Sequence, residues 1–176
     1  MNVSFFRCFA GAGLFVLGSV FLKGAEPLTV GGVHGGLVVR IGAAETDEVA
    51  RLSRTGRYLV HVLDAKPAVT EKAQKSLRIK GVYGLAFAET LADPHHLPYA
   101  ENMVNAVMLQ SLGGVHLSEV HRILAPGGAL LVAPSVGLKP ANLKAAGFDL
   151  AGWAQDGSFV YRKPWPKNMD DWSHPR

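Results

Sequence analysis

Short apolar runs alternate with amphipathic segments along most of this chain. Apolar runs bounded by glycine, proline or polar residues are typical of strands buried in a parallel sheet. They predict strands over residues 37–41, 58–63, 82–88, 104–109, 129–133 and 158–161. The intervening segments have an apolar helical face, or begin with proline or a capping residue. They predict helices over residues 46–53 (with Thr46 as N-cap), 67–77, 116–124 and 140–146.

This alternation predicts an α/β domain with a doubly wound, mostly parallel sheet that is shortened at its C-terminus. Pro126, Gly127 and Gly128 predict a sharp turn into the fifth strand. In sheets of this kind, ligands bind beyond the carboxyl ends of the strands, near the point where the strand order reverses. Functional residues are therefore expected in the turns that follow the strands.

The first 25 residues have a different pattern, which is that of a secretory signal. Arg7 provides a positive start, and residues 8–22 form an apolar stretch that is short for a membrane span. A buried helix of the domain is disfavoured because the stretch has no polar face. Residues 1–25 thus predict export to the periplasm, and an uncleaved segment would instead anchor the chain in the membrane.

Charge and cysteine content exclude several kinds of partner and site. Lys and Arg number 18 against 14 Asp and Glu, which gives a net charge of +4. This excess is too small, and too scattered, to predict nucleic-acid binding. The single cysteine, Cys8, lies in the N-terminal segment, so the body of the chain has no disulfide and no cysteine-based metal site.

Two of the predicted strands end at residues that suit a nucleotide-type cofactor. Gly42 follows the first strand and is followed by Ala43 and Ala44. A glycine here permits close approach of a ligand to the helix N-terminus, although many ordinary strand–helix turns also have one. Asp64 ends the second strand, about 20 residues further on, where an acid can accept hydrogen bonds from ribose hydroxyls. The alternatives are that Asp64 caps the helix that begins near Pro67, or is a solvated acid before it.

Two later segments are more distinctive. Asp93 and Pro94 precede Leu97-Pro98-Tyr99 and the fourth strand, while the segment 119–128 reads Glu-Val-His-Arg-Ile-Leu-Ala-Pro-Gly-Gly. His95 and His96 lie between them, but adjacent histidines rarely face one ion and no cluster of acids or histidines supports them. No metal site is therefore predicted.

These segments occur in the order and spacing seen in class I S-adenosylmethionine-dependent methyltransferases, and the chain resembles their methyltransferase type 11 group. The resemblance implies that Gly42, Ala43 and Ala44 face the methionine end of the cofactor. It also implies that Asp64, with Ala65, holds the ribose and that Asp93, with Pro94, contacts the adenine. S-adenosylmethionine is then the cofactor, with a methyl acceptor that the sequence does not identify and no assigned catalytic residue.

The chain is more similar still to the methyltransferase-like domain that precedes a pyrroloquinoline-quinone-type β-propeller in exported bacterial proteins. The opening strand 35–42, the second strand 58–64 and the segment 163–174 carry this resemblance. It implies a domain over residues 26–163 and an extended tail over 164–176 that resembles the linker to a propeller. The implied partners are a β-propeller domain or protein, with no membrane contact beyond the N-terminal segment.

One departure from the family pattern leaves two functions open. The family loop reads Gly-x-Gly-x-Gly, whereas here Ala43, Ala44, Glu45 and Thr46 follow Gly42. The added Cβ atoms and the charge of Glu45 predict weaker binding of the cofactor. The chain is then either a methyltransferase or a catalytically degenerate scaffold or docking domain. A nicotinamide dehydrogenase is disfavoured, because the other glycine pairs precede the first strand.

Overall fold

The computed structural model describes residues 28–42 and 45–166. These residues form one seven-stranded sheet flanked by four α-helices. The strands are β1 Gly36–Ile41, β2 Tyr58–Asp64, β3 Ala86–Thr90, β4 Val104–Leu109, β5 Leu124–Val132, β6 Asp149–Trp153 and β7 Phe159–Arg162. The helices are α1 Thr46–Arg54, α2 Pro67–Ile79, α3 Leu117–Ile123 and α4 Pro140–Ala145, and a single 3-10 turn covers Pro134–Val136.

The strand order is β3-β2-β1-β4-β5-β7-β6. Strands β1 to β5 pair in parallel, and β7 pairs antiparallel with both β5 and β6. The chain order reverses between β1 and β4, which is the point where such sheets open a crevice for ligands. This arrangement confirms the predicted α/β fold with a mostly parallel sheet.

The central strands β1, β4 and β5 are largely buried on both faces, as their apolar runs predict. On one face, Val38 and Val60 pack with Leu77 of α2. On the other, Val39 and Leu130 belong to a second cluster that includes residues of α3 and α4. Neighbouring residues of one strand point to opposite faces, so the two clusters share the same strands.

Arg40 is a charged side chain in the middle of this sheet. It is 2% exposed and forms an ion pair with Glu48 of α1. A buried charge is costly unless it is paired, so Glu48 supplies the partner that makes this position tolerable.

Two local predictions, the start of the third strand and the N-cap of the first helix, are wrong in detail. The third strand begins at Ala86 rather than at Val82, because the Leu85 and Ala86 amides donate to the Val82 carbonyl in a turn. Thr46 is not the N-cap: Glu45 occupies that position without a side-chain cap, and the Thr46 hydroxyl bonds to Ser76 instead.

The predicted turn at Pro126, Gly127 and Gly128 is a bulge within β5. Val104 pairs with Leu124 and Ala106 pairs with Ala129, so the β5 side of this step is the longer one. Gly127 takes a φ of +74°, which a glycine adopts at little cost. Helix α3 ends at Ile123, and the chain passes directly into the strand that contains the proline.

The chain leaves β7 at the edge of the sheet where the parallel strands begin. The Lys163 ammonium donates to the Asn102 side-chain oxygen and to the His121 carbonyl, both at 2.7 Å. The Trp165 indole lies against Gly127, where a Cβ would come within 2.9 Å of the Trp165 Nε1. The start of the predicted tail is therefore held at the edge opposite the expected ligand site.

The predictions for the two ends of the chain fall largely outside the described residues. The segment 1–25 lies entirely outside them, and the tail 164–176 is described only as far as Pro166. Within the residues that the structure describes, no helix has the length and apolar character needed to cross a membrane.

Candidate cofactor site at the carboxyl edge

A cavity of about 300 Å³ opens at the carboxyl ends of β1 and β2. Its lining comes from the ends of β1 and β2, the residues that follow β1 to β4, and the first turn of α2. It includes Gly42, Asp64, Ala65, Leu91, Ser111 and Gly113. We call this the rim cavity, and it lies beside the point where the strand order reverses.

Gly42 is the only part of the first predicted motif that the structure describes. Its φ is +89°, and its amide donates to the Leu63 carbonyl at 2.8 Å. A Cβ at this position would lie 2.2 Å from the Ser111 hydroxyl and 2.8 Å from the Ser111 amide. Both the backbone conformation and the close approach of the loop after β4 therefore require glycine. Ala43 and Ala44 lie outside the described residues.

Asp64 ends β2 and lines the rim cavity together with Ala65. One Asp64 oxygen accepts a hydrogen bond from the Lys66 amide at 2.9 Å. Lys66 is the N-cap of α2 and Pro67 its first residue, so the alternative that Asp64 itself caps this helix is wrong. The carboxylate is thus oriented by the start of α2 while it borders the cavity.

Asp93 and Pro94 lie in the loop that follows β3, on the same edge of the sheet. The Asp93 carboxylate accepts from the His95 amide at 2.8 Å. Pro94 packs against Gly114, where a Cβ would lie 3.3 Å away. Neither residue lines the rim cavity. The structure therefore brings Gly42, Asp64 and Ala65 together, and places Asp93 and Pro94 in the neighbouring loop.

The loop after β3 is held by two residues whose role the sequence analysis did not identify. Arg122 donates to the Leu97 carbonyl at 3.1 Å and to the Tyr99 carbonyl at 2.8 Å. Glu119 accepts from the Leu97 amide at 3.0 Å and pairs with Arg122 at 2.8 Å. The spacing of Glu119 and Arg122, three residues apart on a helix, was the available signal, because it places both side chains on one face.

The hydrogen bonds between Glu119 and Arg122 favour the charged form of both side chains, because they lower the pKa of Glu119 and raise that of Arg122. Hydrogen bonding from Arg122, and next from the Leu97 amide, lowers the pKa of Glu119 to about 2, against an opposing contribution from burial. Glu119 is therefore ionised at neutral pH and acts as a fixed acceptor for the loop backbone.

A second polar cluster joins this loop to the sheet. The Tyr99 hydroxyl and the His61 Nδ1 are 2.7 Å apart, and the His61 Nε2 is 3.1 Å from a Glu89 oxygen. Burial lowers the pKa of His61 and raises that of Tyr99. A neutral His61 can accept the Tyr99 hydroxyl proton in a hydrogen bond, so this cluster acts as an anchor for Tyr99 at neutral pH.

The histidines of this region do not gather a metal-binding set. The His95 ring lies 4.8 Å from the His116 ring, centre to centre, and the His96 Nδ1 is 3.9 Å from Glu119. Among residues 28–42 and 45–166, no group of three His, Cys, Asp or Glu side chains could hold a metal ion.

A larger groove of about 610 Å³ lies between the segment before β1 and the β6–β7 hairpin. Met108 and Leu131 form part of its floor, and Trp153 stands at its border. The groove contains none of the predicted cofactor residues, so the smaller rim cavity is the candidate site.

Comparison with known proteins supports the fold. No protein-family model matches the sequence, and no curated protein matches it either. Among solved structures, the [4+2]-cyclase SpnF superposes with a TM-score of 0.57 at 21% identity, over 68% of this chain and 53% of the cyclase. The matched part thus spans about half of that protein's length.

Two further structures match over most of their own length. A protein of Methanococcus maripaludis described as an S-adenosylmethionine-dependent methyltransferase has a TM-score of 0.56 at 12% identity, over 77% of this chain and 80% of its own. A SAM-dependent methyltransferase from Aquifex aeolicus has a TM-score of 0.53 at 17% identity, over 73% and 81% respectively. The chain therefore has the Rossmann-like fold of the class I S-adenosylmethionine-dependent methyltransferases.

Proposed function

We propose that this chain is a methyltransferase-like domain that binds S-adenosylmethionine in the rim cavity. The observation that carries the proposal is that Gly42, Asp64 and Ala65, predicted separately from the sequence, line one cavity at the strand-order reversal. The methyltransferases with the same fold support the identity of the cofactor.

The residues of the cavity suit the nucleoside part of this cofactor. Asp64 offers carboxylate oxygens, which accept hydrogen bonds from the two hydroxyls of a ribose. Leu63, Val69 and Leu91 provide apolar surface for the sugar and base, while Ala65 and Gly113 leave space between the turns.

Catalysis at such a site depends on positioning. S-adenosylmethionine supplies a methyl group already activated on a sulfonium. Asp64 and Lys66 are the titratable side chains among the described residues lining the cavity, and both belong to the turn after β2. The chain's own contribution is therefore to bind the cofactor and fix its orientation, which can itself lower a barrier substantially.

Calorimetry on the full chain with S-adenosylhomocysteine tests this proposal. Asp64→Asn should weaken binding about 10-fold or more, because a hydrogen bond to a charged acceptor becomes one to a neutral acceptor. Asp149→Asn is the matched control, since Asp149 is exposed on β6, the far edge of the sheet, and should leave affinity unchanged. Absence of binding by the unmodified chain at millimolar ligand would overturn the proposal.

A second candidate function is a catalytically degenerate scaffold, for which a β-propeller is the proposed partner. The observation that favours it is the replacement of the family's later loop glycines by residues with side chains. Ala44→Gly restores one glycine and removes only a methyl group. S-adenosylhomocysteine binding by the Ala44→Gly variant, together with none by the unmodified chain, would favour the scaffold over the enzyme.

A further inference from the structure

The loop between β3 and β4 runs over the sheet without a helix of its own, so its backbone needs other partners. Leu97 is fully buried in this loop. The Leu97 amide donates a hydrogen bond to the Glu119 carboxylate, and the Leu97 carbonyl accepts one from Arg122. Arg122 also donates to the Tyr99 carbonyl. The Leu97 carbonyl also accepts from the Tyr99 amide at 2.7 Å. The pair thus holds three backbone groups of the loop, and the buried Leu97 amide has Glu119 as its partner.

The geometry of the pair depends on a guanidinium and a carboxylate together. The Arg122 Nε and Nη2 donate to the two Glu119 oxygens at 2.9 and 2.8 Å, and its remaining donors reach the loop. The Glu119 and Arg122 side chains are 13% and 21% exposed, so water competes weakly with these bonds. A lysine has one ammonium and cannot make this set of planar contacts.

The held segment is continuous with Asp93. The His95 amide bonds back to the Asp93 carboxylate, Pro94 packs on Gly114, and Tyr99 is anchored at its far end. These contacts hold the segment from Asp93 to Tyr99 at both of its ends. We propose that Glu119 and Arg122 are positioning residues that fix the loop of Asp93 against the cofactor's adenine. This inference rests on the proposed function.

A double-mutant cycle tests the inference, with S-adenosylhomocysteine affinity of the full chain as the readout. Arg122→Lys and Asp93→Asn should each weaken binding roughly tenfold. If Arg122 acts through the loop of Asp93, the double variant should bind no more weakly than Asp93→Asn alone. If Arg122 had a purely structural role, the two substitutions would act independently, and the loss of affinity in the double variant would be the product of the two single losses.

Controls separate positioning from general loss of stability. Arg162 donates to the Gly127 and Gly31 carbonyls at the opposite edge of the sheet, so Arg162→Lys removes a comparable backbone contact far from the rim cavity. It should lower the midpoint of urea unfolding without changing ligand affinity. Glu119→Gln should weaken binding while retaining the size of the side chain, and gives a second variant if Arg122→Lys does not fold.

The outcomes distinguish the two proposals. Binding by the unmodified chain with unchanged affinity in Arg122→Lys and Glu119→Gln, or multiplicative effects in the cycle, would overturn the positioning role alone. No binding by the unmodified chain would overturn the proposed function, and the positioning role with it.

Discussion

At the scale of single residues, Glu119 links the acid stability of the domain to its candidate site. Its pKa is lowered from 4.5 to about 2 in the folded chain, chiefly by hydrogen bonding from Arg122. A carboxyl whose folded pKa is depressed contributes stability above its unfolded pKa and loses it as the pH falls toward its folded pKa. The contribution of Glu119 should therefore be complete above about pH 5 and disappear toward pH 2.

Glu119→Gln should reduce the free energy of unfolding at pH 7 by about 1–3 kcal/mol, the usual range for hydrogen bonds to a charged group. The gap between the two proteins should narrow as the pH is lowered from 5 to 3. Urea unfolding at several pH values measures this gap. A gap that stays constant over the same range would mean that the Glu119 charge does not stabilise the fold.

Gly42 and Gly56 form a second residue-scale test, because both have a positive φ, of +89° and +70°. A Cβ at Gly42 meets Ser111, whereas a Cβ at Gly56 meets nothing within 4 Å. Gly56→Ala should cost about 1–2 kcal/mol, from backbone strain alone. Gly42→Ala should cost at least about 1 kcal/mol more in thermal or urea unfolding, and equal costs would show that Ser111 moves aside freely.

At the scale of elements, the sequence predicts the central strands best. Strands β1, β2 and β4 lie inside the sheet, and each reads as a mostly apolar run broken by one internal polar residue, Arg40, His61 or Asn105. Strand β6 was missed because its residues are mostly exposed and it is held by pairing with β7. Pairing with the next strand is made by backbone groups, so it leaves no periodic pattern in the side chains of β6 itself.

The residues of the candidate site that lie at the ends of strands could be predicted from the sequence. Gly42 and Asp64 could be placed because parallel strands bring their carboxyl ends to one edge. The role of Glu119 and Arg122 could not be predicted, because nothing in the segment 119–128 indicates which backbone groups their side chains reach. Only the folded chain shows that their side chains reach the backbone of a loop more than 20 residues earlier in the sequence.

Helix α2 gives an element-scale prediction with its own control. Leu77 is completely buried against the sheet, and Ile79, two residues on, is 78% exposed. Leu77→Ala should lower the free energy of unfolding by about 2–5 kcal/mol, through lost burial and the cavity left behind. Ile79→Ala should change it by less than about 0.5 kcal/mol. Similar costs for both would mean that α2 does not pack on the sheet as described.

At the scale of the whole molecule, export remains a prediction from residues 1–25. Expression of the full chain in a bacterial host, followed by fractionation and mass measurement, tests it. The mature protein should be recovered from the periplasm without residues 1–25. A chain of full mass in the membrane fraction would indicate the anchored alternative, and a chain of full mass in the soluble cytosolic fraction would contradict both.

The direction of β7 decides which side of the domain can be tethered. Because β7 runs antiparallel to β5, Trp165 and Pro166 lie at the edge of the sheet where the parallel strands begin. The rim cavity opens at the other edge, at the carboxyl ends of these strands. Leu28 also lies at the edge where the parallel strands begin, because its carbonyl accepts a hydrogen bond from the Tyr58 hydroxyl at the start of β2. A fusion partner or a solid support attached directly at Leu28 or Pro166 would thus leave the mouth of the cavity facing solvent.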